Sequence, residues 1–261
     1  MNKLLPFIAF SILLLVPVGA QNAFAITLFI EDFEGSPSYV TSVAEFTDGD
    51  ADYFLRTDGT NISPNVNFNG VQGTYFAAQD LDGEGGPDTV TLTFTGISVS
   101  GCQDIEFSGL FAEDDALDGN EDWDADADLV VVEYQIDGNG FQNLLTFAGN
   151  NGINSEPSED TDFDDVGDGT SLTDTFTQFS KPVSGSGNVL DLLITLVLDA
   201  EDEDIAFDNI TILCDANGVI GGDIIPIEIT SLLLAGSQTF SWMIPVLLSG
   251  IGIGLVFLRR K

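Results

Sequence analysis

The chain of 261 residues contains no histidine, only two cysteines, and six basic residues against 43 acidic ones. Each shortage excludes a kind of chemistry. Without histidine there is no Ser-His-Asp triad, no Cys-His pair and no His-ligated zinc. Two cysteines cannot build a four-thiolate metal site. Neutralising phosphates takes clustered Lys and Arg, so a formal net charge of −37 excludes nucleic acid as a partner. What is present argues against disorder, since 44% of the residues are hydrophobic and 20 are Phe.

Both ends are apolar. Residues 1–25 read as a signal peptide, with Lys3 ahead of the uncharged stretch Leu4 to Val18 and a small-x-small cleavage pattern at Ala23-Phe24-Ala25. The alternative is an uncleaved N-terminal anchor. Residues 229–258 carry no charge, and Phe240 to Leu258 is long enough to cross a hydrocarbon core of about 30 Å as a helix. Arg259, Arg260 and Lys261 follow, and positive charge favours the cytoplasmic side. The expectation is a single-pass protein of the cell membrane whose N-terminal domain is extracellular. Residues 216–228 form a short stalk, and 259–261 a basic cytoplasmic tail. A sorting signal that is cut and replaced by a lipid is the other reading. The segment from Ile225 through Trp242 to Pro245 resembles membrane anchors at the ends of secreted proteins from ammonia-oxidising archaea. That resemblance covers about the last forty residues.

Between these ends the sequence reads as all-β, an antiparallel β-sandwich over residues 26–215. Candidate strands are rich in Thr, Val, Ile and Phe and are bounded by Gly, Asp or Asn. They run over Thr89 to Val99, Asp104 to Phe111, Leu129 to Ile136, Phe141 to Phe147 and Ile205 to Leu213. Leu190, Leu192, Ile194, Leu196 and Leu198 make an apolar face at period two. Asp137-Gly138-Asn139-Gly140 is a hairpin signal. Many short strands separated by turns fit a sandwich or jelly roll. Outside the cell, Cys102 and Cys214 are expected to form a disulfide, and Asn61 in a polar loop is a possible glycosylation site. Asn209 opens a second sequon but falls inside a predicted strand.

The region 26–224 holds 42 acidic residues and two basic ones, Arg56 and Lys181. Within it, Asp160, Asp162, Asp164 and Asp168 have the spacing of the first part of a calcium loop. Oxygen donors alone suit calcium over a transition metal. The stretch resembles the loops of EF-hands, dockerins and thrombospondin type 3 repeats. It departs from them at Asp165, where glycine is usual, and at Ser171, where a bidentate carboxylate is usual. A second acidic run, Asp118-Gly-Asn120-Glu-Asp122-Trp-Asp124-Ala-Asp126-Ala-Asp128, brings several oxygens near one point and reads as a loop, because in a strand Asp122, Asp124 and Asp126 would share one face and repel. In the last strand, Asp208 either joins the apolar face of Ile210 and Ile212 or sits at a bulge with Asn209.

The opening Glu31-Asp32-Phe33-Glu34, the middle stretch Phe68 to Gly83 and the closing Ile205-Ala-Phe207-Asp208-Asn209-Ile210 together resemble secreted jelly-roll modules of the carbohydrate-binding and lectin-like kind. The resemblance implies a structural calcium between the first and last strands, held by Asp32 or Glu34 with Asp208. It implies a surface role in adhesion, glycan contact or envelope structure, with surface glycans or envelope proteins as partners. Trp123, Tyr53 and Tyr75 are candidates for a sugar-stacking face. No catalytic constellation is legible. The alternatives are a hydrolase working through two carboxylates and a protein whose acidity itself collects cations.

Overall fold

A computed structural model describes residues 25–215 except 65, 72, 84–85, 115–122, 126 and 151. The expected signal peptide, stalk, anchor and tail lie outside the described residues, as do residues 118–122 and Asp126 of the second acidic run. All regular structure among the described residues is β.

The strands are β1 (Ala25–Glu31), β2 (Val40–Thr41), β3 (Phe46–Thr47), β4 (Tyr53–Thr57), β5 (Tyr75–Gln79), β6 (Val90–Ser98) and β7 (Ile105–Ala112). They continue with β8 (Leu129–Ile136), β9 (Gln142–Gly149), β10 (Pro157–Asp160), β11 (Thr177–Val183), β12 (Val189–Val197) and β13 (Asp204–Asp215). One sheet has the order β11-β7-β13-β5-β4-β3, with β1 also paired to β13. The other has the order β10-β9-β8-β12-β6-β2. All named strand pairs are antiparallel.

Alternation along the strands builds the core. Leu190, Leu192, Ile194 and Leu196 on β12 are fully buried, while Asp191, Leu193 and Thr195 between them stay half-buried on the outer face. Val90, Leu92 and Phe94 do the same on β6, and Val130, Val132 and Tyr134 on β8. Aromatic rings fill the space between the sheets. Phe76 stacks on Phe207 at 5.3 Å, Phe54 meets Phe76 edge-on at 4.9 Å, and Phe147 meets Phe179 edge-on at 4.9 Å. Such pairs contribute about 0.5–1.5 kcal/mol beyond their area burial.

The long last strand organises the first sheet. Along one edge it pairs with β7; along the other it pairs first with β5 and then with β1. The switch falls at a register shift between Asp208 and Thr211, where Asn209 has φ of 51°. This is the bulge alternative for Asp208-Asn209. The extra residue lets Ile205 and Phe207 before it, and Ile210 and Ile212 after it, all face the inter-sheet core. Asp208 is thereby turned out of the apolar set to which a regular strand would assign it.

At one end of the sandwich Cys102, just before β7, is bonded to Cys214 on β13 with a Cα–Cα distance of 5.8 Å. Asp137 (φ 51°) and Gly138 (φ 72°) turn the β8–β9 hairpin there. The Asp137 carboxylate accepts the backbone N–H groups of Asn188 and Val189, which ties the hairpin to the start of β12.

Candidate cation-binding sites

The opposite end of the sandwich is where β4, β6, β8 and β13 begin and β5, β7, β9 and β12 end. Acidic residues collect there. Asp128, Asp199 and Glu203 come from the start of β8 and the β12–β13 turn, and their carboxylate oxygens all lie within 4.8 Å of one another. Asp128 and Glu203 are each 2% exposed. Glu203 Oε2 accepts the N–H groups of Asp199 (2.5 Å) and Ala200 (3.0 Å), and Asp128 accepts the N–H of Asp124. Burial, then the charge of Asp128 and its hydrogen bond, push the Glu203 carboxyl up to about 8. Burial raises Asp128 too. Two buried carboxyls in contact share one proton unless a cation takes its place.

The segment 160–168 supplies the second group. Asp160 is 1% exposed, and its carboxylate is wrapped by backbone. Oδ1 accepts the N–H groups of Asp162 (3.2 Å), Phe163 (2.7 Å) and Asp164 (3.3 Å), and Oδ2 accepts that of Asp165 (2.9 Å). Asp165 takes φ of 67°, the bend that glycine usually makes at the sixth position of a calcium loop. The oxygens of Asp160, Asp162 and Asp164 come within 4.8 Å of one another. The charge of Asp164 raises the Asp162 carboxyl. Asp168 stands apart from this trio, because its Oδ1 accepts both the N–H (2.9 Å) and the hydroxyl (2.7 Å) of Thr161. Those bonds hold its carboxyl low. Ser171, at the twelfth position, sits in an isolated bridge with Ser158.

The first and last strands meet as the jelly-roll resemblance implies, with Glu31 opposite Ile210. Glu31 is buried and clamps the turn after β1, accepting the N–H of Phe33 and both the N–H and hydroxyl of Ser38. Glu34 accepts the N–H of Thr74 at 2.7 Å. A Cβ at position 73 would lie 1.7 Å from Glu34 Oε1, so only glycine admits that approach. Burial pushes the Asp208 carboxyl up to about 6, helped by the charges of Asp32, Glu34 and Glu31 and opposed by the N–H of Asn209. The three expected ligands thus act on one another, but among the described residues Asp32, Glu34 and Asp208 do not form a ligand-spaced trio.

Asn61 is exposed in the β4–β5 connection, with its Oδ1 accepting the Thr57 hydroxyl at 2.5 Å. Asn209 sits half-buried at the β13 bulge, its amide on Asp208. Of the expected sugar-stacking aromatics, Trp123 is fully buried in the inter-sheet core, and Tyr53 and Tyr75 are buried in a second apolar cluster on the outer face of the first sheet, with Leu55, Ile62 and Phe176. Surface depressions of about 550 and 320 Å³ open near the disulfide; the first is lined by Gly101–Gln103 and Gly185–Asn188. Neither contains the Asp128–Glu203 pair.

Asp199 and Glu203 escaped the sequence reading because they meet Asp128 only through the sheet pairing. No local spacing announces a site shared by segments seventy residues apart.

No family model and no curated protein matches the chain. Solved structures of similar outline include the K3 cleaved adhesin domain of Lys-gingipain from Porphyromonas gingivalis. It has 15% identity, covers 73% of this chain and 99% of that one, and has a TM-score of 0.41. The CBM22-1 xylan-binding domain of Paenibacillus barcinonensis Xyn10C has 14% identity, with 74% and 97% covered and a TM-score of 0.38. The C-terminal family 22 carbohydrate-binding module of Clostridium thermocellum Xyn10B has 10% identity, with 74% and 97% covered and a TM-score of 0.37.

Proposed function

We propose that the chain is a cell-surface protein whose jelly-roll ectodomain, stabilised by calcium, serves adhesion or envelope structure and is tethered by the apolar C-terminal segment. The observation that carries the calcium requirement is an imbalance of buried charge. Glu31, Asp80, Asp128, Glu159, Asp160, Glu203 and Asp208 are all buried. The two basic residues in the same span are Arg56 and Lys181. Lys181 pairs with Glu159, and Arg56 Nη1 donates to the backbone oxygen of Gly35 at 2.5 Å. Buried carboxylates without basic partners hold either protons or cations, and near neutral pH oxygen-only sites favour a hard divalent ion.

The display half of the reading rests on the uncharged 229–258 segment with its basic terminus and on the apolar first 25 residues. Glycan contact as the mode of adhesion uses loops and polar edges, since the three aromatics expected to stack on sugars are buried. The test is fractionation of intact cells producing the full chain. The chain should sediment with membranes, and added protease should digest the ectodomain and leave the tail behind. A protected, soluble chain would overturn the reading.

A further inference from the structure

One row of side chains on the outer face of the first sheet is unlike the rest. In the ladders, Gln79 lies directly opposite Tyr53 on one side and Asp204 on the other. Side chains directly opposed across antiparallel strands share a face, so these three stand side by side. Asp204 Oδ1 accepts the N–H of Asp114 at 2.8 Å, which extends the row to the residues just after β7. Tyr53 is completely buried and Gln79 is 4% exposed.

Two polar atoms in this row have no hydrogen-bond partner: the Tyr53 hydroxyl and Gln79 Oε1. The Gln79 amide is oriented by its other end, since Nε2 donates to the backbone oxygen of Glu201, turning Oε1 away from that carbonyl. Leaving such atoms unpaired in the interior costs about 1–3 kcal/mol each. The phenol feels its neighbours: burial, then the charges of Asp204, Tyr75 and Asp114, drive its ionisation far above the usual range, so it stays neutral. The row therefore presents two neutral oxygens beside two carboxylates. That is a hard-cation donor set, with water completing the six to eight oxygens calcium takes.

We propose that a divalent cation of the calcium class binds on this outer face, held by Gln79 Oε1, the Tyr53 hydroxyl oxygen and the carboxylates of Asp204 and Asp114. The proposal rests on the reading that the fold takes divalent cations, but it fails separately from it. The site is distinct from the Asp208 region, which lies four residues further along β13, and from the 160–168 loop on the other sheet. It would fasten the start of the last strand to the ends of β5 and β7.

Terbium, a calcium-sized ion whose emission is sensitised by a tyrosine at close range, is the probe. The full chain is titrated with terbium, excited through tyrosine, and then back-titrated with calcium. Tyr53→Phe removes the sensitiser and one oxygen while keeping the ring, and Gln79→Met removes the amide oxygen while keeping the length. The expected result is emission that calcium displaces, that falls by about half or more in Tyr53→Phe, and whose calcium midpoint rises about tenfold in Gln79→Met. If Gln79→Met does not fold, Asp114→Asn, at the half-buried end of the row, is read with the same threshold. Unchanged emission in Tyr53→Phe with an unchanged midpoint in the folded second variant would overturn the site. If wild-type melting still depends on calcium in that case, the broader reading survives; if it does not, both fall.

Discussion

The two ends of the sandwich are closed by opposite means. At one end a disulfide joins the start of β7 to β13, and the Asp137 carboxylate is spent on backbone N–H groups. At the other end Asp128, Glu203 and Asp204 are buried among further acids. The first closure is covalent and indifferent to pH and ions over the ordinary range. The second is conditional, because carboxyls packed together are stable only when protons or cations neutralise them. The difference makes one end a permanent clasp and the other a clasp that depends on the surrounding water.

The largest effect separates the ends outright. Replacing Cys102 and Cys214 by alanine should cost about 2–5 kcal/mol, because the bond closes a long loop in the unfolded chain. The loss, read as a shift of the denaturation midpoint, should be equal with and without calcium. A calcium-dependent loss would mean that the two clasps are coupled.

Next comes pH. Glu203 titrates at about 8 in the fold, and Asp80 and Asp208 at about 6, all above the ordinary carboxyl range. The folded state thus keeps protons that the unfolded state has released, so stability falls as pH rises through this interval. In chelator, the melting temperature should drop on the order of 5 °C between about pH 5 and pH 8.5, the reverse of acid denaturation. Calcium should flatten the curve, and Glu203→Gln should remove its upper part. A melting temperature that rises over the same interval in chelator would contradict the conditional clasp.

A smaller loss tests the 160–168 segment. Asp160→Ala strands four backbone N–H groups and should cost about 1–3 kcal/mol, measured by denaturant titration. An unchanged midpoint would mean that the loop is held by something other than this carboxylate. Similar in size is Lys181→Ala, which leaves the buried Glu159 carboxylate without its cation and should cost about 1–3 kcal/mol. A larger effect would show that basic partners matter more to this fold than cations.

The sandwich was legible where the strands alternate. The periods of Val90 to Phe94 and Leu190 to Leu198, the Asp137-Gly138 hairpin and the cysteine pair all appear in the structure where the pattern placed them. β4, β5, β10 and β11 were not legible, for physical reasons. Tyr53 to Leu55 and Tyr75 to Gln79 are buried on both faces, so no polar alternation marks them, and β10 is a short strand ending in acids. The same limit governs the sites. Asp160, Asp162 and Asp164 are local and could be read from spacing. Asp199 and Glu203 with Asp128, and Gln79 between Tyr53 and Asp204, are products of register, which no single segment encodes.

The conditional clasp is tested most directly by melting the full, disulfide-bonded chain in detergent at neutral pH, in saturating calcium and in chelator. Several cation sites binding only the folded state should raise the midpoint by at least about 10 °C in calcium. Midpoints that agree within about 2 °C, far less than even one saturated site would give, would contradict it.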